Sequence, residues 1–131
     1  MKVVVLIARI LLGLIFVVFG LNGFLHFIPQ GPMPEGAAVQ FFGALAASHY
    51  IHVIFAIQLV SGILFLINRF VPLALILIGP VVVNILLFHT FMLPAPSAFA
   101  VALLTTVLWF VVFASVRSAF TGVFQAKVQD Y

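Results

Sequence analysis

The chain has 131 residues, 66% of them hydrophobic and 5% charged, whereas soluble domains are roughly 45 to 50% apolar and 25% charged. Five basic and two acidic side chains cannot cover a water-soluble surface, so soluble classes are excluded. No cysteine is present, which excludes disulfides, thiolate metal sites and thiol exchange. The net charge of +3 does not make a nucleic-acid surface, because the basic residues stand singly in apolar sequence.

Met1-Lys2 and the apolar run behind it resemble a secretory signal. Arg9 interrupts the run, the run continues to Ile28, and no small-x-small cleavage site follows, so the segment reads as a retained first span. A membrane helix needs about 20 mostly apolar residues. Spans are expected over about 3–28, 50–67, 71–93 and 97–116. They end at Pro29-Gln30-Gly31-Pro32-Met33-Pro34, at Asn68-Arg69, at Pro94-Ala95-Pro96 and before Arg117. Between the first two, residues 35–48 are too short to cross and too apolar for an ordinary loop. They read as a short interfacial helix begun at Pro34-Glu35, covering the outer mouth of the bundle. The tail from Thr121 to Tyr131 is polar enough for the surface. The expected fold is all-α: one transmembrane four-helix bundle over 1–131, with no dividing linker and no internal repeat.

Four spans put Lys2, Arg9, Arg69, Arg117 and Lys127 on one side and no Lys or Arg on the other. By the positive-inside rule that side, with both termini, is cytoplasmic.

Polar groups in hydrocarbon are costly unless satisfied, so each is a candidate site residue. Asn22 and His26 fall in the outer half of the first span, His52 near the outer end of the second with Gln58 at its middle, and Asn84 and His89 in the outer half of the third. Asn22 and His26 share a helical face, with Arg9, Gly13 and Gly20 roughly opposite. An inward Asn/His face would leave Gly13 and Gly20 as a packing face for a partner helix. Gln58, Ser61, Gly62 and Phe65 form a stripe; Pro80, Asn84 and Phe88 form another, in which Pro80 deprives the Ile76 carbonyl of its donor. At about 100° per residue His89 is turned some 140° from Asn84.

The bland alternatives are interfacial histidines, His49 included, and amide side chains that bond between helices at about 0.6 to 2 kcal/mol each. Trp109 reads as an interface anchor. A bis-histidine haem is disfavoured by Phe24, Phe27, Phe55, Phe88 and Phe91 beside the histidines, and a zinc or copper site by the lack of accompanying carboxylates or thiolates. Amides and imidazoles around an apolar cavity better suit the carbonyls of a quinone or another lipid-like ligand. Both acids, Glu35 and Asp130, lie outside the spans, which disfavours proton-coupled transport. The sharpest expectation is that Asn22, His26, Asn84 and at least one of His52 or His89 converge beneath residues 35–48 and bind a neutral, partly apolar molecule.

The stretch Arg9-Ile10-Leu11-Leu12-Gly13-Leu14-Ile15-Phe16-Val17-Val18-Phe19-Gly20-Leu21-Asn22-Gly23-Phe24 resembles the opening helix of DoxX-like membrane proteins. Asn68-Arg69-Phe70-Val71-Pro72-Leu73-Ala74-Leu75, continuing through Gly79-Pro80 and Asn84 to Phe88-His89, is similar to the third helix of a bacterial branch of that family. The resemblance covers about residues 5–116 and implies a four-helix bundle of the bacterial inner membrane. The family takes its name from a small subunit associated with thiosulfate:quinone oxidoreductase; related eukaryotic bundles act as chaperones or cargo receptors. Some relatives carry redox cysteines, which this chain lacks, and no catalytic residue is carried over. The expected function is a non-catalytic small or accessory subunit of a larger membrane assembly, such as a respiratory one, with other membrane subunits or copies of itself as partners. The alternative is a quinone- or lipid-binding subunit of a membrane oxidoreductase.

Overall fold

A computed structural model describes residues 1–29, 33–93 and 95–129; the expected loop residues Gln30, Gly31 and Pro32, the stop at Pro94 and the tail residues Asp130 and Tyr131 lie outside them. A chain this apolar must satisfy its own N–H and C=O groups wherever water is absent, and a helix does so within one segment. Every regular element among the described residues is accordingly helical, with no strand. The order is α1 (Lys2–Leu25), α2 (Ala37–Ala47), α3 (Tyr50–Ile67), α4 (Val71–Leu87) continued by a π-helical turn (Phe88–Met92), α5 (Pro96–Ser115) and a 3-10 turn (Arg117–Phe120). Four of these are long and apolar enough to cross a membrane: Lys2–Leu25, Tyr50–Ile67, Val71–Met92 and Pro96–Ser115. The chain is a multi-pass helical membrane protein.

The helix ends differ from the expected ones for identifiable reasons. α1 stops at Leu25, short of Ile28, because His26 takes a left-handed conformation (φ 53°) and the Ile28 N–H turns back onto Asn22 Oδ1 at 2.7 Å. α2 starts at Ala37, not at Pro34-Glu35, since Gly36 holds φ 136°, which breaks helical continuity in front of it. Prolines stand in the first turns of α4 and α5, where the missing N–H has no intrahelical partner to lose.

The helices close a ring in which α1 packs on α3 and α5, and α4 packs on the same two. Ala8, Leu12 and Phe16 of α1 recur at a spacing of four and meet Phe65 of α3, Leu75 and Ile78 of α4, and Leu108 and Val112 of α5. This core fills the end of the bundle where α1 begins and α3 finishes. Phe120 folds back onto it, 5% exposed, with its ring 4.9 Å from that of Phe113.

The closest approach is between α1 and α3, which run antiparallel. A Cβ at Gly62 would lie 2.7 Å from Val17 N and 2.9 Å from Gly13 O; at Gly20 it would lie 2.8 Å from Leu59 N. A Cβ at Gly23 would lie 2.1 Å from the Phe55 ring, and one at Gly13 would lie 2.9 Å from the Leu66 side chain. The glycine face of α1 is therefore covered by α3 of the same chain, and is not open to a helix of another. Arg9 closes the seam by donating to the carbonyls of Phe65 and Leu66, at the end of α3 where carbonyls lack intrahelical donors. Trp109 is a bridge inside the bundle, where an interface anchor was expected. Its indole N–H donates to Leu75 O in α4 at 3.1 Å, and its ring stacks on Phe113.

Candidate functional site at the α2 end of the bundle

The end opposite Arg9 is built from the last turns of α1, the first turns of α3, the π-helical turn and α2. α2 packs on α3 and on the π-helical turn. Its Phe41 and Phe42 rings lie 6.0 and 5.4 Å from that of Phe88. A groove of about 250 Å³ runs beside this contact, lined by Phe41, Asn84, Leu87, Phe88, Phe91 and Met92. Of the six residues singled out by sequence as ligand-binding, it contains Asn84 alone.

The other five are placed separately, and no hydrogen bond joins any two of the six among the described residues. Asn22, 8% exposed, uses Oδ1 on the Ile28 N–H, so it fastens the exit of α1. His26 belongs to that exit and is exposed; with α1 ended at Leu25, the face it was expected to share with Asn22 no longer exists. His52 is half-buried, its ring 5.6 Å from His49 in a stacked pair and 5.8 Å from Phe24. Gln58 is buried deeper in α3, on one stripe with Ser61, Gly62 and Phe65. The Asn84 amide N–H donates to Pro80 O at 2.8 Å, one turn back along its own helix.

His89 also bonds within its helix, Nδ1 to Ile85 O at 3.0 Å. A carbonyl only accepts, so Nδ1 carries a proton in this bond. The Leu93 N–H bonds Phe88 O at 2.9 Å, five residues back, which defines the π-helical turn and resets the direction of every side chain in it. The same economy governs the hydroxyls: Thr90, Thr105 and Thr106 each bond the carbonyl four residues earlier. Ser61 Oγ is the exception, buried without a partner among the described residues.

Chemically, the arrangement offers an apolar groove with one amide and a stacked pair of imidazoles at the start of α3, His52 half-buried and His49, the residue that precedes the helix, exposed. No three His, Asp or Glu side chains gather to hold a metal among the described residues. Sequence reasoning missed Arg9 as a partner of α3, Gly23 as part of the seam, and the π-helical turn. The glycine spacing could have suggested the seam; nothing in the sequence marks the π turn. Protein-family models, curated proteins and solved structures yield no match to this chain.

Proposed function

We propose that this chain is a DoxX-like protein of the bacterial inner membrane and a non-catalytic accessory subunit of a larger membrane assembly of the respiratory type. One observation carries the reading. Three of the polar side chains that could have formed a reaction centre are used on backbone close to them in sequence, Asn22 on Ile28 just past the end of α1, and Asn84 on Pro80 and His89 on Ile85 within their own helix. What the molecule presents instead is apolar flank, since at most 33% of the residues in any span are buried within the chain. In hydrocarbon such flanks associate by close packing and lose nothing by exchanging lipid for a partner helix. The proposal includes the orientation given by the one-sided basic residues, both termini cytoplasmic, and it places α2 in the outer interface.

Purification from native membranes in mild detergent, read by mass spectrometry and absorption, tests this. Stoichiometric membrane partners are the expected result. Recovery of the chain alone, with native-membrane cross-linking equally devoid of partners, overturns it. A second reading, a quinone- or lipid-binding subunit, draws support from the groove beside α2 and its one amide. An extractable quinone bound to the isolated chain favours it over the first.

A further inference from the structure

We propose that the segment from Arg117 to Val128 is a membrane-surface element that seats the basic end of the bundle on anionic phospholipid. The inference stands whether or not the chain joins a larger assembly. α5 has 20 residues, about 30 Å at 1.5 Å each, which matches the hydrocarbon thickness of a bilayer and brings Arg117 out in the headgroup layer. There the chain does not continue along the axis of α5. The Ala119 N–H bonds Val116 O at 2.9 Å, the Val123 N–H bonds Phe120 O at 3.0 Å, and Phe120 is pinned against the core. These bonds coil the segment at the level of the bundle end. It presents Val123, Phe124 and Val128, 65, 74 and 70% exposed, interleaved with the cation of Lys127.

Among the described residues, the charge at this end has one sign. Lys2, Arg69, Arg117 and Lys127 are exposed. Arg9, from the same end, is turned onto α3. Glu35 lies at the opposite end, beside α2; by sequence Asp130 is the one acid that follows. Exposed large apolar side chains alternating with cations suit a leaflet, whose acyl boundary takes the former and whose phosphates take the latter. An acidic soluble protein would satisfy the cations and leave Phe124 and Val123 uncovered. The spans also hold this end against a leaflet continuously, so the lipid is present at the required depth without diffusing to it.

Because the chain lacks cysteine, Phe124→Cys carries a single nitroxide label, and the protein can be reconstituted in phosphatidylcholine vesicles with or without phosphatidylglycerol. With phosphatidylglycerol present, the label should be more accessible to oxygen than to a water-soluble nickel chelate. Native mass spectrometry of protein extracted from the mixed vesicles should show phosphatidylglycerol retained in preference to phosphatidylcholine. The pair Arg117→Gln with Lys127→Gln should lower that preference by about fivefold for each cation removed. All four residues at issue are exposed, so the variants should keep the thermal midpoint of the parent; Lys2→Gln with Arg69→Gln gives an independent pair at the same end. A label open to the chelate in both vesicle types, or a lipid preference unchanged in both variant pairs, overturns the proposal. So does shelter of the label found only in native membranes, which would assign the surface to a protein.

Discussion

Two side chains show how a residue's role in this bundle depends on what lies opposite it. Arg9 stands two turns into an apolar helix, where sequence offers only a topology signal. Its guanidinium meets the last carbonyls of α3 because the two helices run antiparallel in a register that brings Phe65 and Leu66 alongside. That register is a tertiary fact, which is why the contact was not legible in the chain. Hydrogen bonds from a charged donor contribute about 1.5 to 3 kcal/mol. Arg9→Met should therefore lower the thermal midpoint of the detergent-solubilised protein by several degrees, and an unchanged midpoint would remove the contact from the account of stability. Ser61 is the opposite case. Its stripe with Gln58, Gly62 and Phe65 was legible from spacing, and all four are buried. Its Oγ has no partner among the described residues, though threonines in α5 bond the carbonyl four back. A buried hydroxyl without a partner costs about 1 to 3 kcal/mol. Ser61→Ala, which removes one heavy atom and that penalty together, should leave the midpoint equal or higher; a clear loss would mean that the hydroxyl is satisfied in the membrane.

At the scale of elements, the α1–α3 pair follows from where glycine stands. Gly13, Gly20 and Gly62 let two backbones approach until a Cβ on either side meets main-chain atoms. Main chain cannot rotate out of the way as a side chain can. Overpacking in a close-packed core costs about 1 to 3 kcal/mol even where side chains can adjust, so Gly62→Leu should exceed that range or abolish recovery of folded protein. Gly43, in α2, has open space where a Cβ would go. Gly43→Ala should stabilise by about 1 kcal/mol through helix propensity, and equal behaviour of the two variants would refute the seam. The glycines of α1 were legible as a packing face, but not which helix covers it, since one sequence gives the phase of each helix and no pairing. In α4, Pro80 leaves the Ile76 carbonyl without its intrahelical donor, and the helix gives way to the π turn eight residues later. Single-sequence periodicity assumes one pitch throughout, so the π turn was invisible in the sequence.

For the whole molecule, hydropathy was enough to count the spans, because hydrocarbon leaves the backbone no choice but a helix. The site was far less legible. Polar residues read as converging because each alone is costly in lipid, and the structure meets that cost locally for three of the six, through Asn22 on Ile28, Asn84 on Pro80 and His89 on Ile85. The orientation is where sequence and geometry can be joined into one prediction. The Arg9 contact puts the start of α1 beside the end of α3, and Phe120 in the core brings the end of α5 to the same place. Lys2, Arg69 and Arg117 thus share one end of the bundle, and by the positive-inside rule that end is expected on the cytoplasmic side. The cysteine-free chain makes this measurable. Asn68→Cys and Ser118→Cys, at the basic end, should react with a membrane-impermeant maleimide only after cells are broken, while Ser48→Cys, between α2 and α3, should react in intact cells. All three residues sit outside the spans, so the substitutions should not disturb insertion. Labelling of Asn68→Cys in intact cells would reverse the orientation, and labelling of Asn68→Cys and Ser118→Cys from opposite sides would break the shared end on which the bundle is built.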